Sequence, residues 1–318
     1  RDLLHMTLAF VFPGQGSQAV GMGRDLAEAF PVARHLFEEV DEALDQKLSK
    51  IMFEGPEETL ILTENAQPAL MAVSMAVMRV LAEDGNVTVA NKAAFVAGHS
   101  LGEYSALAAA SAISLGDTAR LLKLRGQSMQ KAVPVGVGAM AAIIGPEFEV
   151  VRDIAAQAAG GQVCDVGNDN APGQVVISGD TAAVERAVKI AADQGVRRSI
   201  MLPVSAPFHC ALMEPAADVM QDALADTNLS VPVVPVVANV TAEAVSDPDV
   251  IRELLVRQVT EMVRWRECVL HMKEQGVDTL IELGAGKVLG GLTRRIDREM
   301  TGRSVQGPDD IDDLLKNI

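Results

Sequence analysis

The pattern of apolar and polar residues alternates between short strand-like runs and longer helical periodicities. Apolar runs at residues 8–12 and 95–97 predict buried strands. Apolar positions spaced three and four apart predict helices at residues 33–44 and 68–83, and Ser114 is placed to cap a further helix. Alternating strands and helices joined by short loops are typical of an α/β fold with a largely parallel sheet.

A different pattern occupies the middle of the chain. Between residues 138 and 202 the predicted order is strand, helix, strand, strand, helix, strand, which is the ferredoxin-like βαββαβ unit. We therefore predict a small ferredoxin-like subdomain over residues 134–203. It interrupts a hydrolase-like large domain formed by residues 6–133 and 204–300.

The large domain is expected to resume after the insertion. Its predicted helices lie near residues 212–224, 250–259 and 266–275, and its predicted strands at 233–237 and 279–283. The polar tail at residues 301–318 is expected to fray. Residues 1–5, which precede Met6, are expected to be an extraneous leader outside the fold.

Composition and charge narrow the function classes. The 318 residues are 49% hydrophobic and 22% charged, as in ordinary globular proteins, and carry a formal net charge of −16. That charge speaks against binding to nucleic acid or to an anionic membrane, and no apolar run reaches the length of a membrane span. Three cysteines without C-x-x-C spacing favour a reducing compartment and argue against structural zinc. We expect a cytoplasmic monomer.

An acidic partner would need a local basic patch, and the chain offers two. One contains Arg294 and Arg295 near the C-terminus, and the other contains Arg197 and Arg198 in the predicted insertion. Solvated helix faces are an ordinary alternative explanation for either cluster.

The segment Gly98-His99-Ser100-Leu101-Gly102 carries the strongest chemical signal. It follows an apolar strand and opens a helix, as a G-x-S-x-G nucleophile elbow does. Such a turn exposes the serine hydroxyl above the sheet, beside unpaired N–H groups at the helix N-terminus. The alternative is a plain strand–turn–helix connection with incidental glycines.

A serine nucleophile needs a base, and elimination among the five histidines favours His209. His209 lies in a proline-rich loop and follows the serine in chain order, as in hydrolase-like sheets. A core histidine held by the backbone is the alternative. Asp218, Glu253 and Glu282 are candidates for a third triad member, although a backbone carbonyl could orient the imidazole instead.

Arg125 is unusual because it shares the apolar face of its predicted helix with Leu122 and Met129, and no acidic residue lies one turn away. An arginine turned towards a core usually binds a carboxylate. That carboxylate could belong to a substrate or to a distant acidic residue. The side chain could also extend to solvent.

Glycine-rich segments give no sign of a nucleotide cofactor. Gly14-Gln15-Gly16 lacks the third glycine of a dinucleotide fingerprint, and Gly284-Ala285-Gly286-Lys287 lacks the other residues of a P-loop. We expect neither a cofactor nor a metal.

The motifs taken together resemble one family, the malonyl-CoA:acyl carrier protein transacylases of bacterial fatty acid synthesis. The resemblance covers residues 8 to about 296 and implies a hydrolase-like domain with a ferredoxin-like insert. The chain departs from the family at Ala285, where proline is common. The motifs that carry the resemblance are, in order, Phe12-Pro-Gly-Gln15-Gly-Ser, Thr63-x-x-x-Gln67-Pro-Ala, Gly98-His-Ser100-Leu-Gly-Glu, Arg125-Gly, Gly138-Ala-Met-Ala, Asn168-x-Asn170-x-Pro-Gly-Gln, Phe208-His209 and Leu283-Gly-x-Gly-Lys-Val-Leu.

The resemblance implies catalytic roles for five residues. Ser100 would be the nucleophile and His209 its base and later its acid. The main-chain N–H groups of Gln15 and Leu101 would form the oxyanion hole. The main-chain carbonyl of Gln258 would orient the histidine, so no third acid would be needed.

It also implies a substrate pocket. Arg125 would hold the free carboxylate of the malonyl group, and Phe208 would crowd an α-methyl branch. A methyl group changes binding by only about 1–3 kcal/mol, so exclusion of methylmalonyl would be partial. The other implied pocket residues are Gln67, Met129, His99 and Asn168.

The implied reaction is a ping-pong transfer of malonyl from coenzyme A to the phosphopantetheine thiol of acyl carrier protein, through a malonyl-serine. The carrier protein would dock on Arg294 and Arg295 or on Arg197 and Arg198. Rival hypotheses are a serine esterase or thioesterase of similar fold, an acyltransferase for other acyl-CoA units, and a non-catalytic subunit that binds carrier protein.

Overall fold

The computed structural model describes residues 7–318, so the predicted leader at residues 1–5 lies outside the described residues. Two β-sheets form within this range. Their strands are β1 (Leu8–Phe12), β2 (Ala93–Gly98), β3 (Gly138–Ile144), β4 (Cys164–Ala171), β5 (Gln174–Asp180), β6 (Arg198–Met201), β7 (Val236–Val237), β8 (Ala244–Val245), β9 (Thr279–Leu283) and β10 (Thr301–Val305).

Helices cover both faces of the larger sheet and one face of the smaller. None of the helices within residues 7–318 is both long and apolar enough to span a bilayer. The helices are α1 (Arg24–Ala29), α2 (Pro31–Leu44), α3 (Leu48–Glu54), α4 (Glu57–Leu60), α5 (Thr63–Gly85), α6 (Val89–Lys92), α7 (Leu101–Ala109), α8 (Leu115–Ala132), α9 (Phe148–Ala159), α10 (Thr181–Asp193), α11 (Glu214–Ala225), α12 (Pro248–Arg257), α13 (Trp265–Glu274), α14 (Val288–Ile296) and α15 (Pro308–Asn317).

The larger sheet has the strand order β10-β9-β1-β2-β7-β8, and every neighbouring pair is parallel except β7 with β8. In the central pair, Phe12 of β1 lies beside Gly98 of β2. The carboxyl ends of these strands therefore meet at one edge of the sheet, where α/β proteins place their ligands. The loop that contains Gln15 and the turn that contains Ser100 both start from this edge.

Alternation along β1 explains why this sheet is buried on both sides. Phe10 and Phe12 pack into one hydrophobic cluster, whereas Ala9 and Val11 pack into another on the opposite face. Successive side chains of a strand point to opposite faces, so a strand that is apolar at every position requires helices on both sides. β1 is a strand of this kind.

The smaller sheet is antiparallel, with the strand order β4-β5-β3-β6. Ala141 and Ile143 of β3 pack against the two helices of this unit, α9 and α10. Met140 and Ala142 face the other way and join the main core of the large sheet. The unit is thus the predicted ferredoxin-like βαββαβ motif, and the predicted fold class is confirmed.

The prediction of a frayed tail is wrong. β10 pairs in parallel with β9 and extends the large sheet, and α15 follows it. Ile311 and Leu314 of α15 are fully buried, and the Asp310 carboxylate accepts hydrogen bonds from main-chain N–H groups at the start of the helix. Few apolar residues at the right spacing are enough to anchor a short helix, so a polar composition concealed this element.

One predicted strand is much shorter than expected. Residues 233–237 contribute only Val236–Val237 to the sheet, whereas Val233 is half exposed and its N–H donates to the carbonyl of Ala110. Pro235 interrupts the run, and proline cannot donate to a neighbouring strand.

Candidate active site

Ser100 occupies a strained turn between β2 and α7. Its backbone has φ 53° and ψ −112°, a conformation that non-glycine residues rarely adopt. A Cβ at Gly98 would lie 1.9 Å from main-chain atoms of Gly102, and a Cβ at Gly102 would lie 2.3 Å from the carbonyl oxygen of Phe12. Gly98 therefore allows β2 to approach α7 this closely, and Gly102 allows α7 to approach the end of β1.

Asn239 holds both sides of this turn. Its Nδ2 donates to the carbonyl of Gly98 at 2.7 Å, and its Oδ1 accepts from the N–H of Ser100 at 2.8 Å. The N–H groups of Gly102 and Glu103 donate to the carbonyls of His99 and Ser100. The Leu101 N–H at the start of α7 is thereby left as the candidate oxyanion donor on this side of the site.

His209 lies beside the serine hydroxyl. Its Nδ1 donates to the main-chain carbonyl of Gln258 at 2.8 Å, so the neutral ring presents Nε2 as an acceptor. The Ser100 hydroxyl donates to that Nε2 at 2.7 Å. Burial, together with the nearby charge of Arg125, lowers the pKa of His209 to about 3, so the ring is unprotonated at Nε2 near pH 7.

A backbone carbonyl thus occupies the position that a triad acid would take. Of the acidic candidates, Glu282 accepts hydrogen bonds from the N–H groups of Leu289 and Gly290 at the start of α14. Glu282 therefore supports α14 and not the histidine.

Arg125 is 1% exposed, which rules out the alternative in which its side chain extends to solvent. Its Nη1 donates to Gln67 Oε1 at 2.7 Å, and its Nη2 donates to Ser100 Oγ at 3.0 Å and Gln258 Oε1 at 2.8 Å. None of the ion pairs formed within residues 7–318 includes Arg125. The guanidinium is therefore buried beside the serine, and no carboxylate in the described part of the chain pairs with it.

The expected pocket residues Gln67 and Met129 lie next to Arg125. Gln67 Nε2 donates to Thr63 Oγ1 at 2.9 Å and lies 3.8 Å from the Met129 sulfur. The Thr63 hydroxyl in turn donates to Gln15 Oε1 at 2.8 Å. This chain of contacts links the arginine to the loop after β1, where Gln15 is exposed.

The remaining expected pocket residues are His99, Asn168 and Phe208. The His99 ring is hydrogen-bonded to Asn170 at 2.7 Å and lies 5.9 Å from the Trp265 ring. Asn168 is 6% exposed on β4 and forms an isolated bridge with Val263. Phe208 is 9% exposed and belongs to the main hydrophobic core.

Sequence reasoning missed two polar residues of this site, Asn239 and Glu103, and the role of the Gln258 side chain. Glu103 accepts from the N–H of Asn239 at 3.0 Å and from Gln258 Nε2 at 2.9 Å. A charged residue inside the otherwise apolar helix that follows the elbow was the available signal for Glu103. Nothing in the sequence near Asn239 indicated its position.

The fold and the arrangement of serine, histidine and buried arginine define the class of serine enzymes that act on acyl groups. Residues 9–298 match the family model of the acyl transferase domain. The chain belongs to this acyl transferase family, which confirms the predicted kind of enzyme.

Curated relatives carry a common name. The chain is 44% identical to a Malonyl CoA-acyl carrier protein transacylase of Bacillus subtilis, over 98% of this chain and 97% of the relative. It is 47% identical to the protein of the same name from Escherichia coli strain K12, over 94% of this chain and 96% of the relative.

Solved structures agree with these relatives. An acyl-carrier-protein-S-malonyltransferase from Bartonella henselae has a TM-score of 0.95 and 54% identity, over 98% of this chain and 99% of that one. A malonyl-transacylase solved in complex with a type II PKS acyl-carrier protein has a TM-score of 0.95 and 44% identity, over 98% of this chain and 100% of that one. The predicted resemblance is confirmed.

Proposed function

We propose that this protein transfers a malonyl group from coenzyme A to the phosphopantetheine thiol of an acyl carrier protein, through a malonyl ester on Ser100. The observation that carries the proposal is the buried guanidinium of Arg125, which lies 3.0 Å from the serine oxygen and forms no ion pair with a carboxylate of residues 7–318. Such a guanidinium can bind the carboxylate at the far end of a malonyl group in two parallel hydrogen bonds.

The first half of the reaction acylates the enzyme. His209 Nε2 takes the proton of Ser100 Oγ as that oxygen attacks the thioester carbon of malonyl-CoA. The tetrahedral oxyanion is held by the main-chain N–H groups of Leu101 and Gln15. The C–S bond then breaks, and the histidine returns the proton to the departing coenzyme A thiol.

The second half reverses these steps with a new thiol. The phosphopantetheine thiol gives its proton to His209, and its sulfur attacks the ester carbon of malonyl-Ser100. Collapse of the second tetrahedral intermediate breaks the C–O bond, and the histidine returns the proton to the serine oxygen. No cofactor beyond the thioester substrates takes part.

Arg125 contributes to both halves. It selects an acyl group that carries a carboxylate, and it fixes the reacting carbonyl in front of the serine. Buried Gln67 and Met129 line the same pocket, and Phe208 crowds a branch at the α-carbon. His99 and Asn168 complete the set of substrate-binding residues.

The partner in the second half is an acidic carrier protein, which we place on one of two basic pairs. Arg197 and Arg198 are exposed at the start of β6, and Arg294 and Arg295 are exposed near the end of α14. Either pair would attract an acidic partner despite the net charge of −16. We propose that the protein acts in the cytoplasm as a monomer.

The decisive experiment is intact mass spectrometry after mixing the protein with malonyl-CoA. We expect a malonyl adduct on the wild type and none on Ser100→Ala. Ser105→Ala is the matched control, because Ser105 lies on the same helix, is fully buried, and its hydroxyl has no hydrogen-bond partner among residues 7–318. This control should form the adduct normally.

Addition of the carrier protein separates the rival functions. Transfer predicts that the adduct disappears only when a phosphopantetheine thiol is present and that malonyl appears on the carrier. An esterase or thioesterase would instead release free malonate without any thiol. A non-catalytic binding subunit would form no adduct on Ser100 at all.

A further inference from the structure

Glu103 is a buried carboxylate that the proposed reaction does not use. It lies in the first turn of α7, three residues after the nucleophile, and is 1% exposed. Burial raises the pKa of Glu103 to about 7, while hydrogen bonds from Asn239 and Gln258 and the charge of Arg125 act in the opposite direction. Burying a carboxylate costs free energy unless hydrogen bonds replace those to water. The groups that donate to Glu103 therefore indicate its role.

Those contacts lead to the Gln258 side chain. Its Nε2 donates to Glu103 Oε2 at 2.9 Å and to the carbonyl of Ser100 at 3.0 Å. Its Oε1 accepts from Arg125 Nη2 at 2.8 Å. A guanidinium can only donate, and Glu103 Oε2, which also accepts from the N–H of Asn239, acts as an acceptor, so the two groups together permit one orientation of the amide.

We infer that Glu103 is a positioning residue that acts through the Gln258 side chain to hold Arg125 ready for the carboxylate of the acyl group. This inference rests on the proposed function. The charges of Glu103 and Arg125 attract each other, but the hydrogen-bonded connection between them runs through the Gln258 amide. Glu103 therefore orients the guanidinium without occupying the place of the substrate carboxylate. A direct ion pair with Arg125 would compete with that carboxylate.

The inference makes selectivity for charged acyl groups depend on a residue that touches no substrate. Acetyl-CoA carries no carboxylate and does not need the guanidinium in a defined orientation. Loss of the acceptor at position 103 should therefore weaken malonyl transfer and spare acetyl transfer. The informative quantity is the ratio of kcat/KM for malonyl-CoA to kcat/KM for acetyl-CoA.

The test compares Glu103→Leu with Glu103→Gln, using carrier protein as the acceptor. Leucine has no acceptor oxygen, and we expect the ratio to fall about tenfold, mainly through a higher KM for malonyl-CoA, as for loss of one charge-assisted hydrogen bond. Glutamine retains an acceptor oxygen and should restore most of the ratio. An unchanged ratio in Glu103→Leu would overturn the inference.

Glu282→Leu is the matched control, because Glu282 is also fully buried and accepts main-chain hydrogen bonds, but at α14. We expect this variant to lose stability and to keep the wild-type ratio. An equal loss of the ratio in Glu282→Leu would mean that general destabilisation explains the effect, and it would refute the role of Glu103.

A double-variant cycle tests whether Glu103 acts through Gln258. Gln258→Ala keeps the main-chain carbonyl that holds His209 and should by itself reproduce the lower ratio, which also serves if Glu103→Leu does not fold. Adding Glu103→Leu to Gln258→Ala should change the ratio less than about twofold, because the two residues form one unit. Independent losses that multiply would contradict the inference.

A wild type without malonyl preference would overturn the proposed function as well, whereas a preference retained in Glu103→Leu would overturn this inference alone.

Discussion

The Ser100 hydroxyl lies between the imidazole of His209 and the guanidinium of Arg125. It donates to His209 Nε2 at 2.7 Å and accepts from Arg125 Nη2 at 3.0 Å. The guanidinium favours negative charge on the serine oxygen and disfavours a proton on the imidazole. Arg125 therefore affects the protonation of both Ser100 and His209 before any substrate binds.

The same arginine provides a test of acyl-group selection. Arg125→Ala should lower kcat/KM for malonyl-CoA by at least about 30-fold, because a buried carboxylate left without its charged partner costs about 2 kcal/mol or more. Acetyl transfer should fall much less, or rise. Steady-state kinetics with both thioesters would check this. If malonyl transfer survives while acetyl transfer is no better, Arg125 does not bind the carboxylate.

The lowered pKa of His209 predicts an unusual pH profile. A histidine with a free pKa of 6.5 would lose its basic form as the pH falls below that value, but His209, with a pKa of about 3, stays neutral. The rate of acylation can be followed by rapid mixing from pH 8 to pH 5. We therefore expect that its pH profile has no inflection near pH 6.5. Because the pKa of Glu103 is about 7, Glu103→Gln is measured in parallel. An inflection near 6.5 that persists in this variant would contradict the prediction.

At the scale of elements, the site depends on how closely α7 approaches β1 and β2. The glycines on either side of Ser100 permit this contact, since each faces main-chain atoms that cannot move aside. The histidine loop and the residue after α12 then complete the site from the other side. Gln258 follows the last residue of α12 and contributes its carbonyl to His209 and its amide to Arg125.

Alanine substitutions at two helical glycines should have opposite effects. Gly102→Ala should destabilise the protein by about 3 kcal/mol or more, because its Cβ would overlap the carbonyl oxygen of Phe12. Gly291→Ala in α14 should stabilise it by up to about 1 kcal/mol, because no atom of residues 7–318 outside the adjacent turns of α14 lies within 4 Å of that Cβ and alanine favours a helix. Urea unfolding of both variants would measure these changes. Equal stabilities would show that the elbow has room to relax.

At the scale of the whole molecule, the small sheet contacts segments that border the site. β4 of the small sheet exchanges main-chain hydrogen bonds with Val263, which lies between α12 and α13, and Asp169 on the same strand forms an ion pair with Arg266 at 2.7 Å. The neighbouring Asn170 binds the His99 ring of the elbow. The small sheet is thus attached directly to the turn that presents the nucleophile and to the start of α13.

The two basic pairs allow the docking of the carrier protein to be located. Each pair, Arg197 with Arg198 and Arg294 with Arg295, is reversed in charge in a separate double variant. The variant that lacks the docking pair should have a severalfold higher KM for carrier protein, and this KM should depend less on salt. Adduct formation from malonyl-CoA should stay unchanged in both double variants, since neither pair lies at Ser100. An unchanged KM in both would exclude both surfaces.

The sequence by itself determined the features that depend on local patterns. Apolar periodicity predicted the α/β class and the βαββαβ insertion, and the flanking glycines of Ser100 predicted a tight elbow because only glycine fits such a turn. The family motifs pointed to the segments that meet at the site. Polar composition hid the last strand and helix, whose few apolar side chains become buried only after the sheet has formed.

Only the tertiary structure decided which polar groups meet at the site. Glu103 binds the N–H of Asn239, which lies 136 positions away, and Gln258 reaches the carbonyl of Ser100 across 158 positions. Hydrogen-bond partners of this kind follow from how strand ends and loops pack together, and no spacing along the chain encodes them. A buried charge can be recognised as a positioning group only when the donors that surround it are known.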